Sequence, residues 1–279
     1  MVDLTNSEPI FELKRLEFRR QFLLGPKNFK PNQYWATHKL SFGHYLSVHQ
    51  DLPSATPEAD EATIILLGIA IDATHPQQVE LEILHELAKS SLDLNALIEA
   101  TKPLMGRWVI ILANTQGAFL FSDPLGYRAI YYYQDGEQIW CASQPELIKV
   151  NCHMALNSDE ALLRYLLDPR HAKQESPWVD NRPLYEGCFH LIPNHYLDLN
   201  SAQQTRFYPS GNIKERALSD VVDSACDLLT GVMTALAERY EVDMAFTAGW
   251  ESRVLISVSR NFLEKIPLFV YHESNMAVD

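Results

Sequence analysis

Up to about Pro209 the chain is written in short apolar runs separated by turn-forming residues; beyond it a helical period takes over. Aromatic and β-branched residues over 18–24 and 40–48 predict strands on either side of a loop holding Pro26, Asn28, Pro31 and Asn32. The Ile-rich run 63–72 predicts a buried strand. Val79, Leu81, Ile83, Leu84, Leu87 and Ala88 recur at helical spacing and predict a helix over 78–90; a second, over 92–101, is opened by Asp93 and stopped by Pro103. Strands over 107–113, 118–121, 129–133 and 139–142 follow, with turn chemistry at each corner, and read as an antiparallel meander. A helix over 160–167 precedes two strand pieces around a Pro193-Asn194 turn.

Past the change of character, residues 214–239 predict one long amphipathic helix. Leu218, Val221, Val222, Ala225, Leu228, Leu229, Val232, Met233 and Leu236 lie along its broad apolar face. A short strand from Val242, a helix over 252–263 and a strand over 267–271 complete a strand–helix–strand unit, which predicts a parallel pair. The domain boundary falls at about residue 210. Two parallel strands do not make a covered sheet, so the second domain reads as incomplete at Asp279, a truncated chain or a fragment.

The stretch Thr247-Ala248-Gly249-Trp250-Glu251-Ser252-Arg253 joins that first strand to its helix. Such a turn converges backbone N–H groups and a helix N-terminus on one point, which favours an anion, most often phosphate. Thr247 and Ser252 add hydroxyls, and Gly249 lets a ligand approach the backbone. The plain alternative is a strand-to-helix turn with Ser252 as helix cap. No Lys follows the glycine, which excludes a nucleotide loop of the G-x-x-x-x-G-K-[ST] type, and no G-x-S-x-G surrounds Ser252. A serine hydrolase pairing Ser252 with His272 is a third reading for which the sequence argues no acid-orienting geometry. His272, Glu273 and Ser274 follow the second strand's end, where open α/β sheets bind ligands, and read as ordinary loop residues or, alternatively, as lining of the nucleotide site.

Composition narrows the function classes. At 47% hydrophobic and 21% charged residues the chain has the balance of a globular protein. A net charge of −13 without a basic cluster argues against nucleic-acid binding. No apolar run is long enough to cross a membrane, and the N-terminus lacks the pattern of a signal peptide. Cys141, Cys152, Cys188 and Cys226 are widely spaced, which predicts neither a zinc site nor a disulfide framework and fits a reducing cytoplasm. His38, His44 and His49 do not share a helix face, so no common metal is expected there.

With these elements in order, the chain resembles the asparagine synthetase family, which includes the β-lactam synthetases. Gly106-Arg107 to Leu112, then Asp123-Pro124-Leu125-Gly126-Tyr127-Arg128 with Tyr131-Tyr132, is similar to that family's strand, D-P-x-G-x-[KR] turn and tyrosines. Ala142-Ser143-Gln144-Pro145-Glu146-Leu147 resembles its "ASE-x-K" passage. Tyr185-Glu186-Gly187 with Leu191-Ile192-Pro193-Asn194-His195-Tyr196 resembles "F-x-G-I-x-x-L-P-P-G-H", and Arg206-Phe207-Tyr208 resembles "R-Y-W". Thr247-Ala248-Gly249-Trp250-Glu251-Ser252 stands where the family has its pyrophosphate-gripping S-G-G-x-D-S loop.

The resemblance implies an α+β glutaminase-like domain over 1–209, an N-terminal-nucleophile (Ntn) hydrolase-like αββα sandwich. It implies the first βαβ unit of an α/β parallel-sheet nucleotide-binding domain over 210–279, an incomplete ATP-pyrophosphatase domain. ATP and Mg2+ follow as implied cofactors, gripped by Thr247, Ala248, Gly249, Glu251, Ser252 and Arg253, with the magnesium carboxylates expected beyond Asp279. The implied chemistry is an ATP-dependent amide ligase that activates a small-molecule or peptide carboxylate as an acyl-adenylate and amidates it with ammonia or an amine. A homodimer is left open.

Departures from the pattern modify that expectation. Val2 stands where the family's glutaminases carry their N-terminal cysteine nucleophile, so the first domain is expected to be inert as a glutaminase. Ser7 and Thr5 lie near the start but would need processing. Ala248 replaces a glycine at a position where positive φ is a concern, and Glu251 replaces an aspartate. The alternative reading is a non-catalytic glutaminase-like scaffold or binding module with a vestigial nucleotide loop.

Overall fold

In the computed structural model, residues 13–56, 62–169, 181 and 184–270 are described. Val2, Thr5, Ser7, Tyr271, His272, Glu273 and Ser274 lie outside them. One six-stranded sheet is built from β1 (Phe22–Gly25), β2 (Trp35–Lys39), β3 (Tyr45–His49), β8 (Tyr131–Asp135), β9 (Gln138–Ala142) and β10 (Cys188–His190). Its order is β10-β8-β9-β1-β3-β2. The second sheet uses β4 (Ser54–Ala55), β5 (Thr63–Asp72), β6 (Leu104–Asn114), β7 (Gly117–Ser122), β11 (His195–Asp198) and β12 (Gln204–Arg206), in the order β12-β11-β7-β6-β5-β4. The strand pairs in both sheets are antiparallel.

The sheets pack face to face, with Phe22, Leu24 and Val48 meeting Ile65, Val109, Ile111 and Leu120. On the outer face of the second sheet, Trp108, Ile110 and Leu112 meet Ile83, Leu84 and Leu87 of α1 (Glu80–Ala88) and Leu97 of α2 (Leu94–Ala100). The outer face of the first is covered in part by Leu147 and Ile148 of α3 (Pro145–Lys149), against Leu23 and Trp140. Alternate residues of β6 therefore enter different apolar layers, which is why its sequence shows no polar alternation. A further helix, α4 (Glu160–Leu167), is capped by Asp159, whose carboxylate accepts from the Ala161 and Leu162 N–H groups. The outcome is a mixed α+β unit of two antiparallel sheets between helices.

Several local expectations change. The run 18–24 is not one strand: Phe18 and Arg20 stand at φ 50 and 58, and β1 begins only at Phe22. The run 40–48 holds a turn followed by β3, and the edge strand β2 precedes it. The four strands from β6 to β9 do not form a meander, because β6 and β7 lie in one sheet and β8 and β9 in the other. The turn at Asp123–Gly126 is thus part of a crossing between sheets. Asp123, 1% exposed, holds it by accepting from the N–H groups of Leu125, Tyr127 and Arg128 at 3.2, 2.9 and 2.9 Å.

The long helix is α5 (Leu218–Arg239), beginning later than the period suggested. Its C-terminal half docks on the sandwich. A Cβ at Gly231 would lie 1.8 Å from the Ala73 carbonyl oxygen, so only glycine allows this approach. Arg239 meets Glu80 at 2.7 Å, and the Tyr240 hydroxyl donates to the same carboxylate at 3.0 Å. The N-terminal half leaves Leu218, Val221, Val222 and Leu228 exposed, so the predicted apolar face is only partly buried. Met233, Met244 and Ile266 form a small core beneath β13 (Met244–Ala245), α6 (Trp250–Ser259) and β14 (Leu268–Phe269). β13 runs parallel to β14, with α6 and a 3-10 turn over Leu263–Lys265 between them.

Candidate functional site

The loop Thr247–Gly249 leaves the end of β13 and feeds α6. Thr247 and Ala248 are exposed, Gly249 is the N-cap at φ −65 and ψ 156, and Trp250 is 79% exposed. Gly249 brings no capping side chain. The first N–H groups of a helix have no intrahelical acceptor and carry the positive end of its dipole, so they face the opening of the loop.

Ser252 is not the cap. It sits inside the first turn of α6, 8% exposed, and its Oγ accepts from the Thr247 N–H at 3.2 Å and meets Thr247 Oγ1 at 2.9 Å. Thr247 Oγ1 also accepts from the Gly249 N–H at 3.3 Å. The two hydroxyls cross-brace the loop. Ala248 is not among the described residues at positive φ, so the feared strain at that position is absent. A Cβ on Gly249 would stand 2.9 Å from Glu251 Oε2 and 3.3 Å from Thr247 Oγ1. The hollow over Gly249 is therefore bordered by a carboxylate on one side and a hydroxyl on the other. Arg253 lies over the Trp250 ring, its guanidinium carbon 5.6 Å from the centroid, and places a cation beside the loop. Thr247, Ala248, Gly249, Glu251, Ser252 and Arg253 thus lie together where β13 passes into α6, with Ser252 buried beneath the exposed loop.

The other sequence candidates are dispersed. His49 is wholly buried, its ring bonded to the Arg15 carbonyl at 2.9 Å and to the Asp51 N–H at 3.0 Å. His44 leans on Phe42, and His38 lies on the edge strand β2. Among the described residues no group of three or more His, Cys, Asp or Glu is placed to hold a metal. Cys141, the first cysteine in the chain, is buried in β9, and burial pushes its thiol far above the ordinary range. An N-terminal nucleophile needs its own α-amine beside it. β1 is instead entered from an upstream segment that includes a helical turn over 13–16. Among the described residues no helix is long and apolar enough to cross a membrane.

No family model matches this chain, and no curated protein matches it. Among solved structures it is similar to the glutamine phosphoribosylpyrophosphate amidotransferase of B. subtilis, complexed with ADP and GMP. The match has 12% identity and a TM-score of 0.39, over 94% of this chain and 61% of that one. A structure titled the allosteric regulatory enzyme of purine biosynthesis matches at 12% identity and a TM-score of 0.40, over 95% and 63%. The chain spans less than two thirds of either. At this level the likeness is coarse. It does not single out the asparagine synthetase family, and it places neither an activity nor a site on this chain.

Proposed function

We propose that the loop from Thr247 to Arg253 grips the phosphates of ATP with Mg2+, and that the chain serves in an adenylate-forming amide ligase of the asparagine synthetase type. Its substrate would be a small-molecule or peptide carboxylate. The sandwich that precedes the loop serves as a glutaminase-like domain without glutaminase chemistry. One observation carries the reading: an exposed, hydroxyl-braced turn at the carboxyl end of a parallel strand, opening onto the uncapped N-terminus of α6. Thr247 and Ser252 hold the turn in shape, the α6 N–H groups meet the anion, and Arg253 adds positive charge.

The test is MgATP binding to the protein and to its Gly249→Val variant, by calorimetry. The backbone at Gly249 is extended, a conformation open to valine, but the new Cβ would stand 2.9 Å from Glu251 Oε2 and 3.3 Å from Thr247 Oγ1, so circular dichroism and the urea midpoint of the variant are matched to wild type before its affinity is read. Affinity should fall at least about tenfold, or about 1.4 kcal/mol. Equal binding by both proteins would sink the assignment of the loop. A second reading, a non-catalytic binding module, draws on the exposed Leu218, Val221 and Val222 of α5 and Phe269 and Val270 at β14. A well-folded protein with no nucleotide binding at all would favour it.

A further inference from the structure

We propose that the end of the sandwich where β1 begins carries a second anion site, a cradle of Arg20, Arg107 and Arg128 that takes a phosphate-type oxyanion. The inference is independent of the nucleotide loop.

The crossing segment from β7 to β8 brings these residues together. Asp123 anchors it to β6 by donating its N–H to the Trp108 carbonyl at 3.0 Å. Arg128 Nη1 donates to the Arg20 carbonyl at 2.8 Å, joining the segment to the entry of β1. Arg107, from β6, donates through Nε and Nη2 to the Tyr127 carbonyl at 3.3 and 3.1 Å. Both guanidiniums are therefore held by neutral carbonyls. Among the described residues none of the three arginines has a carboxylate within ion-pair distance, whereas neighbouring Arg15 and Arg19 both pair with Asp51 at 3.5 and 2.7 Å. Arg128 Nε is buried and finds no acceptor. The Arg20 side chain is exposed and makes no hydrogen bond among the described residues, and its backbone stands at φ 58, an uncommon conformation for a residue with a side chain.

Gathering like charges in this way is unfavourable unless something of opposite sign answers it. Burial and then the nearby Arg107 charge hold the Arg128 guanidinium down to about 10, with Arg20 adding to the effect and Asp123 opposing it. Arg128 remains protonated at neutral pH. The Asp123 carboxylate is committed to three backbone N–H groups. In a chain of net charge −13, an unpaired basic trio stands out. Guanidinium forks match oxyanions through parallel N–H donors, and a phosphate offers more acceptors and more charge than one carboxylate.

The experiment titrates the intact protein with inorganic phosphate, phenyl phosphate and acetate by calorimetry, with ionic strength held constant by chloride. Arg20→Ala is the main variant, because that side chain has no partner and its carbonyl stays in place for Arg128. Arg20→Lys keeps the charge and removes the fork. The expected result is saturable binding of at least one of the two phosphates, weaker binding of acetate, and a loss of about tenfold or more in Arg20→Ala, partly restored in Arg20→Lys. Tighter binding of phenyl phosphate than of inorganic phosphate identifies a monoester as the natural source, and the reverse identifies free phosphate; either order supports the cradle. Absence of saturable phosphate binding, or the same affinity in wild type and Arg20→Ala, overturns it. The Arg20-dependent part of the binding should persist in Gly249→Val, which separates a failure here from a failure of the nucleotide reading.

Discussion

Gly231→Ala sets two physical effects of opposite sign against each other. Glycine inside a helix is worth about 1 kcal/mol less than alanine, so propensity alone predicts that the variant is more stable. Packing predicts the reverse. The new Cβ would sit 1.8 Å from the Ala73 carbonyl oxygen and 2.8 Å from its carbonyl carbon, and both are backbone atoms with no rotamer to relieve them. Ordinary contact requires α5 to back away by about 1.6 Å. Two turns further along the same helix, Arg239 meets Glu80 at 2.7 Å with side chains only 10% and 23% exposed, and Tyr240 donates to Glu80 at 3.0 Å. A retreat of that size stretches both bonds beyond useful length. Overpacking costs about 1–3 kcal/mol. Loosening a hydrogen bond to a charged group costs about 1.5–3 kcal/mol. Set against the propensity gain, the net loss is about 2 kcal/mol or more, a roughly thirtyfold shift in the docking equilibrium. Urea unfolding followed by circular dichroism, together with limited proteolysis of α5, reads this directly. A Gly231→Ala protein that unfolds at the same or higher urea, with α5 no more cleavable, would refute the close contact between α5 and the Ala73 turn.

Burial also makes a prediction about acid. His190 stacks on Tyr131 at 4.9 Å, has a buried Nε2 without a partner, and is held by burial below its ordinary value of 6.5. Above that value both folded and unfolded forms are neutral; as pH falls below it the unfolded chain binds the proton first, so stability declines until the folded ring protonates too. His190→Phe keeps the stack and should flatten the fall in urea midpoint between about pH 6.5 and 5. The part of the slope due to His44, lowered in the same direction by burial, will remain; an unchanged slope would show that His190 is not a buried neutral group. Thiol chemistry gives an independent check on the core. Cys226 is exposed, whereas Cys141, Cys152 and Cys188 are buried, and burial pushes Cys152 up to about 11 and Cys188 to about 12. A colorimetric thiol reagent should label one cysteine quickly in the native protein and all four in denaturant. Fast native labelling of a second thiol would contradict the packing of β9 or β10.

Some of this molecule was legible residue by residue. The unbroken apolar runs of β5 and β6 and the helical spacing of α1 depend only on how often burial recurs along the chain, which a linear sequence records directly. The loop at Thr247 was visible for the same reason, since a strand, a hydroxyl-rich turn and a helix start are neighbours in sequence. What periodicity does not record is the identity of the covering surface. The Asp-Pro-Leu-Gly turn reads alike whether it closes a hairpin or carries the chain between sheets, because its Asp123 carboxylate is satisfied by its own loop in either case. β2 was missed because an edge strand with Thr37, His38 and Lys39 has only one side to bury. The apolar stripe of α5 announced a demand for burial, but only packing against Ala73 and Glu80 decided which half of the helix was met. Ser252 likewise looked like a cap from its place before the helix; its reach back to Thr247 is a three-dimensional fact. Arg20, Arg107 and Arg128 are far apart in the chain, and only the pairing of strands and the crossing between sheets brings three like charges to one end of the sandwich, where their mutual repulsion calls for an anion.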